Sequence, residues 1–203
     1  MADGTPHLNT NFPDGPGYRE KRFTVDELFA LGELGALDDA NRYELWDGRL
    51  VMTPPPGNHH GRAESRILRR LLAALLELDP DEQRYVVQPN PGLEMSNDTF
   101  LQPDLAIVSP TDPDETPRLT PSHVHLCIEV SRSTVRGDLE LKRLRYAQAG
   151  IAEYWVLNTW TSALHLFRQP ENGDYAETRV LGTTETLSPL FEPRIVLAVD
   201  QLF

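Results

Sequence analysis

Apolar positions along the chain change period several times, and each change marks an element. Val25, Leu28, Phe29 and Leu31 recur at helical spacing behind Thr24, and Thr24 with Glu27 fits a capping box. A helix is therefore expected from Thr24 to around Gly32 to Gly35. Tyr43-Glu44-Leu45-Trp46 and Arg49-Leu50-Val51-Met52 are short β-prone runs on either side of Asp47-Gly48, which reads as a tight hairpin. Pro54, Pro55 and Pro56 stop it. Ile67, Leu68, Leu71, Leu72, Leu75 and Leu76 predict a long amphipathic helix from about Asn58 to Leu78. Arg62, Arg66, Arg69 and Arg70 line its flank, where a solvated face is preferred over a phosphate-facing stripe.

From Arg84 the period shortens. Tyr85-Val86-Val87, Leu93-Glu94-Met95 and Leu105-Ala106-Ile107-Val108 read as strands, with a turn at Asn97-Asp98. A Pro- and Asp-rich loop, Pro110 to Pro121, leads to a run from Val124 to Val130 that is apolar on both faces, as in a central strand. A second helix is expected from Gly137 to Gly150, with Gly150 as its stop. Strands follow at Tyr154 to Leu157 and Leu164 to Phe167, then a turn at Glu171 to Asp174, then short strands to Val199. This order predicts the α/β class: a mixed β-sheet flanked by helices, with an extra N-terminal helix and hairpin. One domain is expected over 23–203, behind a flexible tail over 1–22 rich in Gly, Pro, Asn and Asp.

Composition narrows the picture. With 203 residues, 39% hydrophobic and 25% charged, the chain suits one soluble domain with a sizeable core. It carries 31 acidic against 19 basic residues, a net charge of -12, which opposes long-range attraction to nucleic acid. A local basic groove or a metal-bridged substrate remains compatible with that balance. The lone Cys127 allows no intramolecular disulfide and reads as a buried thiol in a reducing compartment. Met1 to Pro16 lacks an apolar core of signal-peptide length, and no stretch is apolar enough to span a membrane, so a cytoplasmic location is expected.

The candidate chemistry rests on two carboxylates. Asp104 follows Pro103 at the opening of one strand, and Glu129 lies near the end of the next. Adjoining strands would bring them together, and paired like charges are costly unless a cation sits between them. Mg²⁺ or Mn²⁺ takes hard oxygen ligands of this kind. The bland reading is a turn residue and an edge carboxylate. Taken jointly, near the ends of apolar strands, the two favour the metal reading.

The same residues resemble the PD-(D/E)XK nuclease superfamily and, more closely, its Uma family of restriction-endonuclease-like proteins. The matching text is Tyr43 to Gly48, His60-Gly61-Arg62, Gln102-Pro103-Asp104-Leu105, Ile128-Glu129-Val130-Ser131, Asp138 with Lys142 and Tyr146, and Gly150 to Trp155. The resemblance runs from about residue 24 to 203 and implies a restriction-endonuclease-like core. It also implies Asp104 and Glu129 as ligands of Mg²⁺ or Mn²⁺, with the Val130 carbonyl as a third, and a metal-dependent endonuclease acting on nucleic acid, with DNA the expected substrate. Glu44 matches an upstream acidic residue that would hold a metal-bound water; solvation of the hairpin is the alternative. The superfamily lysine two residues past the Glu is replaced here by Ser131, and family members that take it from the following helix point to Lys142. Asp138, Lys142 and Tyr146 are spaced to share one helix face, with an ordinary surface ion pair between Asp138 and Lys142 as the alternative. His60 would donate to a phosphate from the start of the long helix, or is merely a polar helix-start residue. Arg132 and Arg136 would contact substrate backbone, or are solvated. A homodimer is expected by analogy, because cutting a duplex needs two sites. The competing functions are a catalytically silent binding or assembly protein on the same fold and, more weakly, hydrolysis of a small phosphate ester.

Overall fold

The computed structural model describes residues 20–38, 41–53, 57–81 and 83–203. In chain order they form α1 (Val25–Glu33), β1 (Arg42–Trp46), β2 (Arg49–Thr53), α2 (Asn58–Leu78), β3 (Val86–Pro89), β4 (Leu93–Ser96), β5 (Thr99–Leu101) and β6 (Leu105–Val108). Then come β7 (Val124–Ser131), a π-helical turn (Gly137–Lys142), α3 (Arg143–Gln148), β8 (Glu153–Asn158), β9 (Ala163–Glu171), β10 (Asp174–Leu181), β11 (Thr186–Leu187) and β12 (Leu197–Ala198). Residues 1–19 of the expected tail, and the Pro54 to Pro56 stop, lie outside the described residues. Of the remainder of that tail, Arg22 donates to the Asp47 carbonyl at 2.6 Å and Lys21 pairs with Glu27.

The main sheet has six strands in the order β10-β9-β8-β7-β6-β3. Only the β7–β8 pair is parallel, and the π turn with α3 forms its crossover. Alternation of side chains splits the strands between two cores. Leu126, Ile128 and Val130 of β7 pack with Leu105 and Ile107 of β6 and with Ile67, Leu71 and Leu75 of α2. Cys127, Ala106 and Val108 pack with Tyr146 and Ala147 of α3 on the other face. With both faces covered, β7 is buried along nearly its whole length, as its unbroken apolar run predicted.

A second sheet of four strands, β2-β1-β5-β4, carries the hairpin. Asp47 and Gly48 have φ of 50° and 78°, the paired positive values of a two-residue turn that matches strand twist. Helix α1 covers one face of this sheet through Val25 and Leu28 on Leu45 and Phe100. Its capping box is present, with Glu27 N–H donating to Thr24 and Thr24 N–H donating to Glu27.

Three expectations need correction. The hairpin is joined by β5 and β4 into a sheet of its own, because Leu45 pairs with Phe100 in a strand of three residues. The second helix opens as a π turn, with Arg143 N–H reaching back five residues to the Asp138 carbonyl, and becomes α-helical only at Arg143. The strand placed at Tyr85 starts one residue later, at Val86.

Candidate active site

The register of β6 and β7 sets the site. Leu105, the first residue of β6, lies opposite Ile128, and Asp104 just ahead of it accepts the N–H of Val130 on β7. Directly opposed residues of an antiparallel pair share a face. Leu105 and Ile128 face α2, so Glu129 on β7 turns to the face that α3 and the π turn cover, while Asp104, just ahead of β6, is met by Arg42 and by His60 of α2. Both carboxylates are buried, at 3% exposure each.

Each carboxylate is held by specific donors. Asp104 Oδ2 accepts the Val130 N–H at 2.8 Å. Its Oδ1 lies 3.1 Å from the Arg42 guanidinium. Glu129 Oε1 accepts from Lys142 Nζ at 2.9 Å and from the Tyr146 hydroxyl at 3.1 Å. Both donors use the same oxygen, which leaves Oε2 for another partner. Lys142 Nζ also lies 2.8 Å from Glu44 Oε1 and so bridges two carboxylates from different sheets.

Glu44 is 1% exposed, so the solvated-hairpin alternative is excluded. Its Oε1 also accepts the Gln102 N–H at 2.9 Å, and its Oε2 accepts the Trp46 indole N–H at 2.9 Å. Glu44 thus serves as the counter-ion that fixes Lys142. The surface-pair alternative for Asp138 and Lys142 fails too, since both are buried and Asp138 accepts a hydrogen bond from Ser131. Ser131 is thereby tied to the turn that delivers Lys142.

Burial pushes the Glu129 carboxyl well above its ordinary pKa; Lys142 opposes this, and Asp138, Asp104 and Glu44 add to it. Burial works against charge on Lys142, but Glu129, Glu44 and Asp138 outweigh it and hold the ammonium protonated. Asp104 is driven the other way: burial is outweighed by His60, the Val130 N–H and Arg42, which lower its pKa.

His60 and Glu64 project from the first turns of α2 toward the same aspartate. Ligand atoms of His60, Glu64 and Asp104 all lie within 4.8 Å of one another. His60 Nε2 is 3.2 Å from Asp104 Oδ1 but lacks hydrogen-bond alignment, which leaves it a buried nitrogen without a satisfied partner. Burial disfavours charge on His60, yet Asp104 and Glu64 raise its pKa above the usual imidazole value. Two carboxylate oxygens and one imidazole nitrogen make a donor set that fits a divalent ion. The oxygens suit Mg²⁺ and Mn²⁺, and the nitrogen favours first-row transition ions.

These groups open on one pocket of about 480 Å³. Four carboxylates line it, Glu44, Asp104, Glu129 and Asp138, together with Arg42, His60, Val130, Arg132 and Lys142. The structure thus brings together Asp104, Glu129, Lys142, Glu44, His60 and Val130. Tyr146 stands behind Glu129, fully buried, as an orienting group. Arg132 is exposed at the pocket rim. Arg136 is exposed and paired with Glu140. Sequence reasoning gave no role to Glu64 or Arg42. The spacing of His60 and Glu64, four residues apart on one helix face, was the available signal for the first. Arg42 had none, because its partner Asp104 is distant in sequence.

Three comparisons bear on this chain. The model of a family described as "Uma2: Putative restriction endonuclease" matches residues 25–200. A solved structure described as "a putative nuclease belonging to DUF820", from Anabaena variabilis, superposes with a TM-score of 0.67 at 15% identity. That likeness covers 89% of this chain and 97% of the other, and it establishes the mixed sheet flanked by helices as a shared fold. No protein of curated function matches. Among the described residues, no helix is long and apolar enough to cross a membrane.

Proposed function

The chain belongs to the Uma2 family, and from that premise we propose that it is a metal-dependent endonuclease cleaving phosphodiester bonds in nucleic acid, with DNA as its substrate. The observation that carries the reading is the meeting of Asp104, Glu129 and Lys142 in one pocket, with Lys142 2.9 Å from Glu129. A silent binding protein would have no need to bury these charges together, since a buried ion pair is weak stabilisation at best.

Asp104 and Glu129 would hold Mg²⁺ or Mn²⁺, with the Val130 carbonyl as a further ligand and His60 and Glu64 supplying donors on the far side of Asp104. When bound, the ion polarises the phosphoryl oxygen and acidifies water. The Val130 N–H fixes the Asp104 carboxylate, and Tyr146 fixes that of Glu129. Lys142 keeps its proton and offsets charge that develops on the phosphorus oxygens. Glu44 is a positioning residue, holding the ammonium where both carboxylates reach it. Each pocket would act on one strand, so cutting both strands of a duplex would take two copies of the chain.

Nicking of supercoiled plasmid in Mg²⁺ or Mn²⁺ tests the reading. Asp104→Asn and Glu129→Gln are each expected to abolish it while the thermal transition stays cooperative. Full nicking by either variant would remove that residue from the site. Mn²⁺ titration by calorimetry is expected to show weaker binding in His60→Ala and Glu64→Gln; unchanged affinity would confine the ligands to Asp104, Glu129 and Val130.

A further inference from the structure

Trp160 is 73% exposed, an unusual position for the largest side chain in a chain with an ample core. The Arg132 guanidinium lies over its ring, 5.3 Å from the centroid. Arg132 also lines the pocket that holds Glu129 and Lys142, beside the hydroxyl residues Ser133 and Thr134. Among the described residues it has no carboxylate partner, in contrast to Arg42 and Lys142. It follows Glu129 by three residues, about 10 Å along an extended chain.

The segment that carries the indole is held in place. Thr159 N–H and its hydroxyl both donate to the Ser131 carbonyl, at 2.8 and 3.0 Å. The Asn158 side chain accepts the N–H groups of Trp160 and Thr161, at 3.0 and 3.3 Å. Trp160 is therefore an exposed aromatic face on a backbone anchored to the strand that bears Glu129.

We propose that Trp160 and Arg132 form a stacking platform for an unpaired base, so that the substrate reaches the pocket as a single strand; the proposal rests on the nuclease reading above. Base–indole stacking is insensitive to sequence and draws on ring overlap rather than on charge. That fits a chain of net charge -12, which is poorly suited to gripping duplex backbone over many phosphates. Arg132, uncompensated at the rim, supplies one phosphate contact next to the stacked base. A second protein chain seated on the same indole is the rival occupant, because Trp and Arg also anchor protein interfaces.

The test uses the full chain in EDTA, with fluorescein-labelled twelve-nucleotide oligo(dT) and a blunt duplex of equal length, read by anisotropy. The wild type is expected to bind the single strand more tightly than the duplex. Trp160→Ala should weaken that binding about 5- to 150-fold, the worth of one stacked base. Trp160→Phe should keep most of the affinity. Arg132→Ala should lower the salt dependence by about one phosphate contact, and Trp160→Ala should leave it unchanged. Equal affinity of Trp160→Ala and wild type would overturn the platform, as would a preference for duplex. So would a change of sedimentation coefficient in Trp160→Ala without a change in affinity, which would identify a protein interface. If the wild type nicks plasmid with Mn²⁺ while Trp160→Ala binds single strands normally, the platform alone fails. If the wild type neither nicks nor binds either oligonucleotide, the nuclease reading fails and the platform with it.

Discussion

Lys142→Met removes one cation from between two buried carboxylates while keeping most of the side chain's volume. At 2.8 and 2.9 Å each pair carries roughly 6 kcal/mol of attraction at an effective dielectric of about 20. Desolvation of three ions consumes most of that, so the net worth of the arrangement is small. The cost of removing only the cation is not small, because Glu44 and Glu129 are then left buried without a counter-ion, a loss of roughly 3–5 kcal/mol. For a domain of this size that lowers Tm by roughly 6–20 °C. The loss should shrink as pH falls, since the stranded Glu129, whose pKa burial already raises, can then take a proton. Urea and thermal unfolding at neutral pH, followed by tryptophan fluorescence, give the number. The double variant Glu44→Gln with Lys142→Met should lose less than the sum of the single changes, by about 0.5–3 kcal/mol. A Lys142→Met protein as stable as wild type, or strictly additive losses in the double variant, would refute the bridging role.

Gly48→Ala should cost about 1–2 kcal/mol of stability for the left-handed backbone alone, read as a lower urea midpoint. The new methyl would also sit 2.7 Å from the Arg22 Cβ, and an unchanged midpoint would argue against that close approach. Glu192 has its carboxyl drawn from an ordinary 4.5 down to about 2, chiefly by hydrogen bonds from Arg194, with Arg84 adding a smaller pull. A depressed pKa means the stabilisation is full above 4.5 and is lost as pH falls toward 2. The Tm gap between wild type and Glu192→Gln should therefore be constant near neutrality and close between about pH 4.5 and 2; a gap independent of pH would remove the ion pair as its cause.

What could be read from the chain was what repeats locally. The apolar spacing of Ile67, Leu71 and Leu75 fixed α2 over Asn58–Leu78, and the Asp47-Gly48 pair fixed the hairpin, since both signals lie within a few residues. The run around Glu129 was legible as a central strand because neither of its faces is polar. Strand β5 was missed because three residues show no period, and its partner Leu45 is far away in sequence. The site was legible in its carboxylates and lysine and illegible in its wiring. Nothing in the text around Glu44 shows that the Gln102 N–H, the Trp46 indole and Lys142 satisfy it, so solvation reads equally well there. Glu64 joins the cluster only because the first turns of α2 lie beside Asp104 at the start of β6, which is a property of packing rather than of spelling.

The π turn before α3 means that the segment holds a surplus residue relative to an ordinary helix. Each residue of an α-helix advances the side-chain direction by about 100°. Shortening Gly137–Lys142 by one position would let it relax into regular coils and would swing either the ammonium group or the phenol behind Glu129 out of the pocket. Length here is therefore constrained more tightly than composition: the segment can accept many replacements on its outer side, whereas the loss of a single codon would disassemble the centre without altering any residue that touches it.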